Sequence, residues 1–260
     1  MPQAVILAAG AGSRLRGDDA SAPPKPLTPV LGRPLIERSL RTFRAAGVRD
    51  VAVVVGYESE RLAGGLAEAS RRVGVRVTLV ENHRWELGNS TSVLAAAEHV
   101  GDRFFLAMSD HLFDPGFLAR LLGADAGLPL SLVVDHGWES IDDLDEATKV
   151  RLHGSRIVDI GKEIPAFDAV DTGVFLCRPG LFSAVRRAQA AGDFSLSGAV
   201  RLLADHGRAV AVPSGGLFWQ DVDTPEDLER VERRLASERW VDRSSDGPPP
   251  RGAWRPAHHA

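Results

Sequence analysis

The chain carries one cysteine, Cys177, so an intrachain disulfide is excluded. That suits a reducing compartment, and the expected location is cytoplasmic. No apolar run approaches the ~18–20 residues of a membrane span. The opening MPQAVILAAG is short, lacks a basic flank and turns straight into glycines. It reads as a buried first strand, not a signal peptide. A basic excess is also missing. The net charge is -4, which argues against nucleic acid as the main partner and leaves room for a small anionic ligand. Lysine is scarce as well: of 31 basic residues only Lys25, Lys149 and Lys162 are lysine. An ammonium is a compact point charge that approaches a single phosphate oxygen, where arginine offers a planar fork. Lysines kept against so strong an arginine bias are therefore candidates for ligand contact.

The rest is ordinary globular material, 44% hydrophobic and 25% charged over 260 residues. That suits one α/β domain, expected over residues 1–240, followed by a disordered Pro- and Gly-rich tail over 241–260. Short apolar runs at Val5–Ala8, Val51–Val55, Val75–Val80 and Phe104–Met108 read as buried strands. Helical spacing at Leu35–Ala46, Ser59–Val73 and Thr91–Val100 separates them. This alternation predicts an α/β fold with a Rossmann-like, mixed and mostly parallel sheet flanked by helices. In the second half, Leu130–Asp135, Thr148–Leu152, Arg156–Ile160 and Val170–Leu176 read as strands with short links. These are expected to be antiparallel additions forming a substrate-binding subregion. Helices near Pro179–Gln189 and Ser197–Asp205 precede a strand at Ala209–Val212. A last helix is capped by Thr224, with Pro225 in its first position.

The most specific signal is LAAGAGSRL, Leu7 to Leu15, followed by PKPL, Pro24 to Leu27. A strand feeds a glycine loop, in which Gly10 and Gly12 are expected to take positive φ and turn backbone N–H groups toward an anion. Arg14 adds donors, and Lys25 is held between prolines. Leu15 stands where the dinucleotide fingerprint needs Gly or Ala, and no G-K-[S/T] follows the glycines, so neither that fold signature nor a P-loop is present. Asp110 follows a buried strand, where ligands of open α/β sheets bind. Asp221 and Asp223 form a second acidic cluster in WQDVDTPEDL. Carboxylates from two places, with phosphate oxygens, are a donor set for Mg²⁺. Asp223 could equally serve the following helix as a cap, and His111 reads as a structural hydrogen-bonding residue.

The combined pattern resembles the nucleotidyltransferases that make nucleotide-activated sugars and alcohols. The resemblance implies that fold, an NTP and Mg²⁺. It assigns Leu7, Ala8, Ala9, Gly10, Gly12 and Ser13 to the nucleotide loop, Arg14 and Lys25 to the phosphates, and Asp110, Asp221 and Asp223 to the metal. Asn89 or Ser90 would read base or ribose, or else cap the helix they open. Lys162 would screen an attacking phosphate, with Lys149, Asp171, Thr172 and Gly173 near the acceptor; Asp171 also reads as a turn residue. The segments MSDHLF, DEATKV, IVDIGKEI, DAVDTGVFLC and DVDTPEDL are similar to the inositol-1-phosphate cytidylyltransferase module, over about residues 3–236. That implies CTP, a small phosphorylated alcohol and CDP-inositol as product. Phosphocholine and phosphonate cytidylyltransferases share this plan, as do sugar-phosphate enzymes that use other NTPs. A catalytically silent nucleotide-binding homologue is the alternative of another class. The expected partners extend to a second copy of the chain in a homodimer. Many relatives carry a fused, membrane-embedded alcohol phosphotransferase, and here that step is expected from a separate protein.

Overall fold

The computed structural model describes residues 3–237 apart from 18, 20, 142 and 143. The expected tail over 241–260 lies outside the described residues. Nine strands form one sheet in the spatial order Arg76–Glu81, Asp50–Val55, Gln3–Ala8, Phe104–Met108, Ala169–Cys177, Leu130–Asp135, Ala209–Pro213, Arg156–Gly161, Lys149–His153. The first four are parallel neighbours, as βαβ alternation dictates. Leu130–Asp135 and Ala209–Pro213 are likewise a parallel pair.

Two expectations for the second half change. Leu130–Asp135 is a central strand, fully buried until Asp135. Ala169–Cys177 is antiparallel, as expected, but its place is interior. It runs antiparallel between Phe104–Met108 and Leu130–Asp135, in the middle of the sheet. Nine residues long and buried almost throughout, it has the apolar character of an interior strand. Only the Lys149–His153 and Arg156–Gly161 hairpin forms the antiparallel edge.

The period-two alternation of strand side chains divides the core between the two faces. Val5 and Leu7 face one layer, with Val54, Leu106, Leu132, Phe182 and Leu196. Ala4, Ile6 and Ala8 face the other, with Ile36, Leu40, Phe43, Leu62 and Leu66 from the Leu35–Ala45 and Ser59–Val73 helices. Ile6 is fully buried, so Ile6→Ala would cost roughly 2–5 kcal/mol by cavity formation. A third, smaller cluster joins Val30, Leu35, Leu112, Phe218, Val222, Val231 and Leu235. It fixes the last helix, Pro225–Ser237, against the loops that carry the acidic residues.

Three further details were not read from sequence. The helix expected at Thr91–Val100 starts earlier and ends sooner, at Asn89–Ala95, and a 3₁₀ turn at Ala97–His99 completes it. A helix at Gly116–Gly123 buries Phe117, Leu118 and Leu121. Two strands of three residues, His111–Phe113 and Trp219–Asp221, pair antiparallel. Among the described residues no helix is long and apolar enough to cross a membrane.

Candidate active site

The carboxyl ends of the parallel strands, together with the amino half of the reversed central strand, converge on one edge of the sheet. Two adjoining clefts open there, of about 360 and 550 Å³.

The first strand delivers Ala9, Gly10, Gly12, Ser13 and Arg14 to the smaller cleft. Gly12 has φ +62, and a Cβ there would sit 2.5 Å from the Lys25 Cβ. A side chain at this position would therefore displace Lys25. Gly10 differs from expectation. It takes no positive φ, and nothing lies within 4 Å of where its Cβ would be. Lys25 is buried between Pro24 and Pro26, and its Nζ donates to Asp110 Oδ2 at 2.5 Å and to Asp223 Oδ1. Burial alone would lower its pKa. The two carboxylates outweigh burial and raise it.

Chain pairing explains how these acids meet. Asp221 lies opposite His111 in the short antiparallel pair, and the Val222 amide donates to the Asp110 carbonyl at 3.0 Å. Burial would raise the Asp110 carboxyl, but the Lys25 ammonium and His111 hold it far below the usual carboxylate range. Asp223 does not cap the last helix. That role falls to a reciprocal pair, in which the Asp227 amide donates to Thr224 Oγ1 at 3.2 Å and the Thr224 amide to Asp227 Oδ2 at 2.9 Å. Asp223 is thereby left for Lys25 and for Arg14, whose guanidinium donates to it at 2.9 Å.

His111 is the residue whose importance the sequence concealed. Its Nδ1 lies 2.8 Å from Asp110 Oδ1. Burial would lower its pKa, yet Asp110, Asp221 and Asp171 push it up to about 9. At neutral pH a cation thus stands among three carboxylates. Gly173, at φ +71, packs directly on the ring, where a Cβ would lie 2.6 Å from Cδ2. Asp171 accepts the Gly173 amide at 2.7 Å and is raised to about 6 by burial, against that bond and His111. Asp221 is also raised, by burial first, with Asp223, Asp110 and Asp227 adding to it against the pull of His111.

The donor chemistry here suits a hard divalent cation. Asp110 and Asp223 share the Lys25 ammonium, and Asp221 lies opposite His111 in the short strand pair beside them. Among the described residues no group of three or more acidic, His or Cys side chains would hold a metal unaided. Phosphate oxygens would have to complete the coordination, as is usual for Mg²⁺.

The larger cleft is lined by Lys162, Asp171, Gly173, Asp221 and Glu146, with Trp219 and Asp135 on its wall. The Trp219 indole donates to Asp135 at 2.7 Å, and Ser214 donates to the same carboxylate at 2.9 Å. Glu146 lies between the two halves of the site. Lys162 Nζ donates to it at 2.7 Å, and Arg14 lies 3.7 Å from the same oxygen.

Four expected contacts lie away from the cleft surfaces. Ala8 faces the core, because alternation along the strand turns its side chain to the helix layer. Ser90 is fully buried, and its hydroxyl accepts from Gln189 at 2.9 Å. Thr172 is fully buried and donates to the Val133 carbonyl at 2.8 Å. Lys149 turns away from the cleft and donates to the Lys162 carbonyl at 2.7 Å, bracing that loop. Asn89 does line both clefts, but its side-chain oxygen accepts the Leu196 amide at 2.7 Å, and so serves the start of another helix. Residues not anticipated at the smaller cleft are Trp85, Ser92, Met108 and Ser109.

A solved structure described as the inositol-1-phosphate CTP transferase from T. maritima superposes with a TM-score of 0.80 at 29% identity, covering 91% of this chain and 95% of that one. A protein of Rubrobacter xylanophilus named bifunctional IPC transferase and DIPP synthase is 38% identical over 94% of this chain. One of the same name from Archaeoglobus fulgidus is 34% identical over 94%. The chain spans about half the length of these two relatives, 54% and 46% respectively. The family model of the MobA-like NTP transferase domain matches residues 4–210, and this chain belongs to that family.

Proposed function

We propose that the chain is a Mg²⁺-dependent cytidylyltransferase that joins CMP from CTP to inositol-1-phosphate, giving CDP-inositol and pyrophosphate. The observation that carries this reading is the meeting of Arg14, from the nucleotide loop, and Lys162, from the acceptor side, on the single carboxylate of Glu146. Two cations, one from each subsite, face a common point where an anion is already accommodated. An incoming phosphate dianion has the charge to replace that carboxylate. The names and similarity of the T. maritima structure and the longer relatives support CTP and the inositol acceptor.

The chemistry follows from the residues. Backbone N–H groups around Gly12 and the Arg14 guanidinium hold the triphosphate. Lys25 adds fixed positive charge near the phosphorus under attack. Lys162 brings the acceptor phosphate in against the repulsion of the nucleotide. One acceptor oxygen attacks the α-phosphorus in line; the new P–O bond forms as the bond to pyrophosphate breaks. The nucleophile is already an anion, so no side chain has to remove a proton. Mg²⁺, held by Asp110 and Asp221 with Asp223 alongside, would neutralise charge on the phosphate oxygens. The buried thiol of Cys177 accords with a cytoplasmic setting. An alcohol phosphotransferase would consume the product.

The test is pyrophosphate release across a grid of NTPs and acceptors: inositol-1-phosphate, phosphocholine, 2-aminoethylphosphonate and sugar-1-phosphates. Release with CTP and inositol-1-phosphate above every other pair is the expected result. Preference for another pair refutes the assignment of substrate, and nucleotide binding without release under any pairing refutes the enzyme.

A further inference from the structure

Among the described residues only two that are not glycine take positive φ. One is Leu31, in the turn between two short paired strands; the other is Glu58, at φ +49 immediately before the Ser59–Val73 helix. Such a backbone is uncommon for glutamate and persists where the surroundings hold it. At Glu58 the surroundings are two arginines. Arg16 Nη1 lies 3.1 Å from Glu58 Oε2, and Arg16 Nη2 donates to Oε1 at 3.3 Å. Arg61 Nη1 donates to both oxygens, at 2.9 and 3.0 Å. Each arginine also donates to the Ala22 carbonyl, Arg16 at 3.3 Å and Arg61 at 3.0 Å. The Arg16 side chain is only 7% exposed, and its guanidinium lies 5.5 Å from the centre of the Tyr57 ring. The Tyr57 amide in turn donates to the Ala9 carbonyl at 3.0 Å.

These contacts fasten one loop at several points. The chain leaves the first strand at Ala9 and makes the Ser13–Arg16 turn, which carries Arg14. It returns past Ala22 to the Lys25–Leu27 turn, which carries Lys25. The two cations that face the phosphates therefore stand on opposite limbs of the loop. Glu58 holds the outgoing limb through Arg16 and the returning limb through Arg61 and the Ala22 carbonyl. The same helix meets the returning limb again at Gly65, where a Cβ would collide with the Leu27 side chain. Glu58, Arg16 and Arg61 themselves line neither cleft.

We propose that Glu58 is a positioning residue for polyphosphate recognition, which sets the separation of Arg14 and Lys25 by tying together the limbs that carry them. Without its carboxylate the Arg16 and Arg61 guanidinium groups repel each other, and the limbs part. A displacement of about 1 Å at a site of this kind costs on the order of 10²-fold in rate. This inference rests on the smaller cleft being the nucleotide site.

The experiment measures equilibrium binding of CTP, pyrophosphate and CMP to the full chain in Mg²⁺, with kcat/KM for CTP as a second readout. Glu58→Ala lowers affinity for CTP and for pyrophosphate by about tenfold or more and leaves CMP, which lacks the outer phosphates, within about twofold. A role in stability alone would not separate CMP from the other two. Arg61→Ala removes the strut to the returning limb and shows the same pattern. Its side chain is 41% exposed, so this variant decides if Glu58→Ala fails to fold. An equal loss for all three ligands, or unchanged CTP affinity in either folded variant, overturns the inference. If wild type binds CTP but does not turn over inositol-1-phosphate, only the acceptor assignment falls, because the binding comparison still answers the question. If wild type binds CTP no more tightly than CMP, both readings fall.

Discussion

Lys25 and Asp110 come from separate segments and form a 2.5 Å ion pair at the floor of the cleft, with Asp223 on the other side of the same ammonium. The lysine thus does two things. It carries positive charge toward the nucleotide, and it offsets two carboxylates that burial would otherwise penalise. Lys25→Ala should therefore lower turnover by about 10²-fold or more, as loss of a preorganised charge does. It should also destabilise the fold, and more so in a chelator than in excess Mg²⁺, because a bound divalent cation offsets the same carboxylates. Thermal melts of both proteins under both conditions check this; a variant insensitive to Mg²⁺ would show that the carboxylates do not hold the ion.

The two glycines of the loop should respond unequally. Gly12→Ala puts a methyl 2.5 Å from the Lys25 Cβ at a φ of +62, so a stability loss of about 1–3 kcal/mol is expected. Gly10→Ala meets open space without positive φ and should leave stability within about 0.5 kcal/mol. Urea denaturation of the two variants makes the comparison.

His111 should give the protein a pH dependence of known sign. Its folded-state pKa of about 9 lies above the ordinary 6.5. A raised histidine contributes stability that is fully present below about 6.5 and is lost as pH rises through about 9. Melting temperature should therefore fall across that window, and His111→Gln should flatten the fall while lowering stability at the acid end. Parallel curves for the two proteins would mean that His111 is not the group responsible.

Thr224→Ala removes one half of the reciprocal cap of the last helix and should cost about 1 kcal/mol. Because this helix also fixes the Asp221 to Asp223 loop, activity should drop further than stability alone explains. Asp223→Ala, by contrast, should leave the helix intact, as its side chain makes no capping bond. Circular dichroism and turnover of the two variants separate cap from site.

Much of this site is legible in sequence, for physical reasons. The glycine loop, PKPL and the strand-end Asp110 each carry a local signal: φ freedom, proline restraint, a polar residue after an apolar run. The sheet alternation is legible on the same ground. What stayed hidden depends on pairing across the chain. Three-residue strands such as His111–Phe113 are too short to show a period, so nothing local announces that His111 faces Asp221. Val170–Leu176 shows that a strand exists, but its place inside the sheet is a tertiary fact. The GNSTS run advertises polar side chains without saying which bonds they make, and only the fold reveals that Ser90 is buried against Gln189 while Ser92 meets the cleft.

The central claim is best tested by ³¹P NMR of the protein with CTP, Mg²⁺ and inositol-1-phosphate. The account predicts loss of the CTP and phosphomonoester signals in equal amounts, with matching growth of a diphosphate diester and of pyrophosphate. Unchanged spectra, or CTP breakdown that leaves the phosphomonoester untouched, would contradict it.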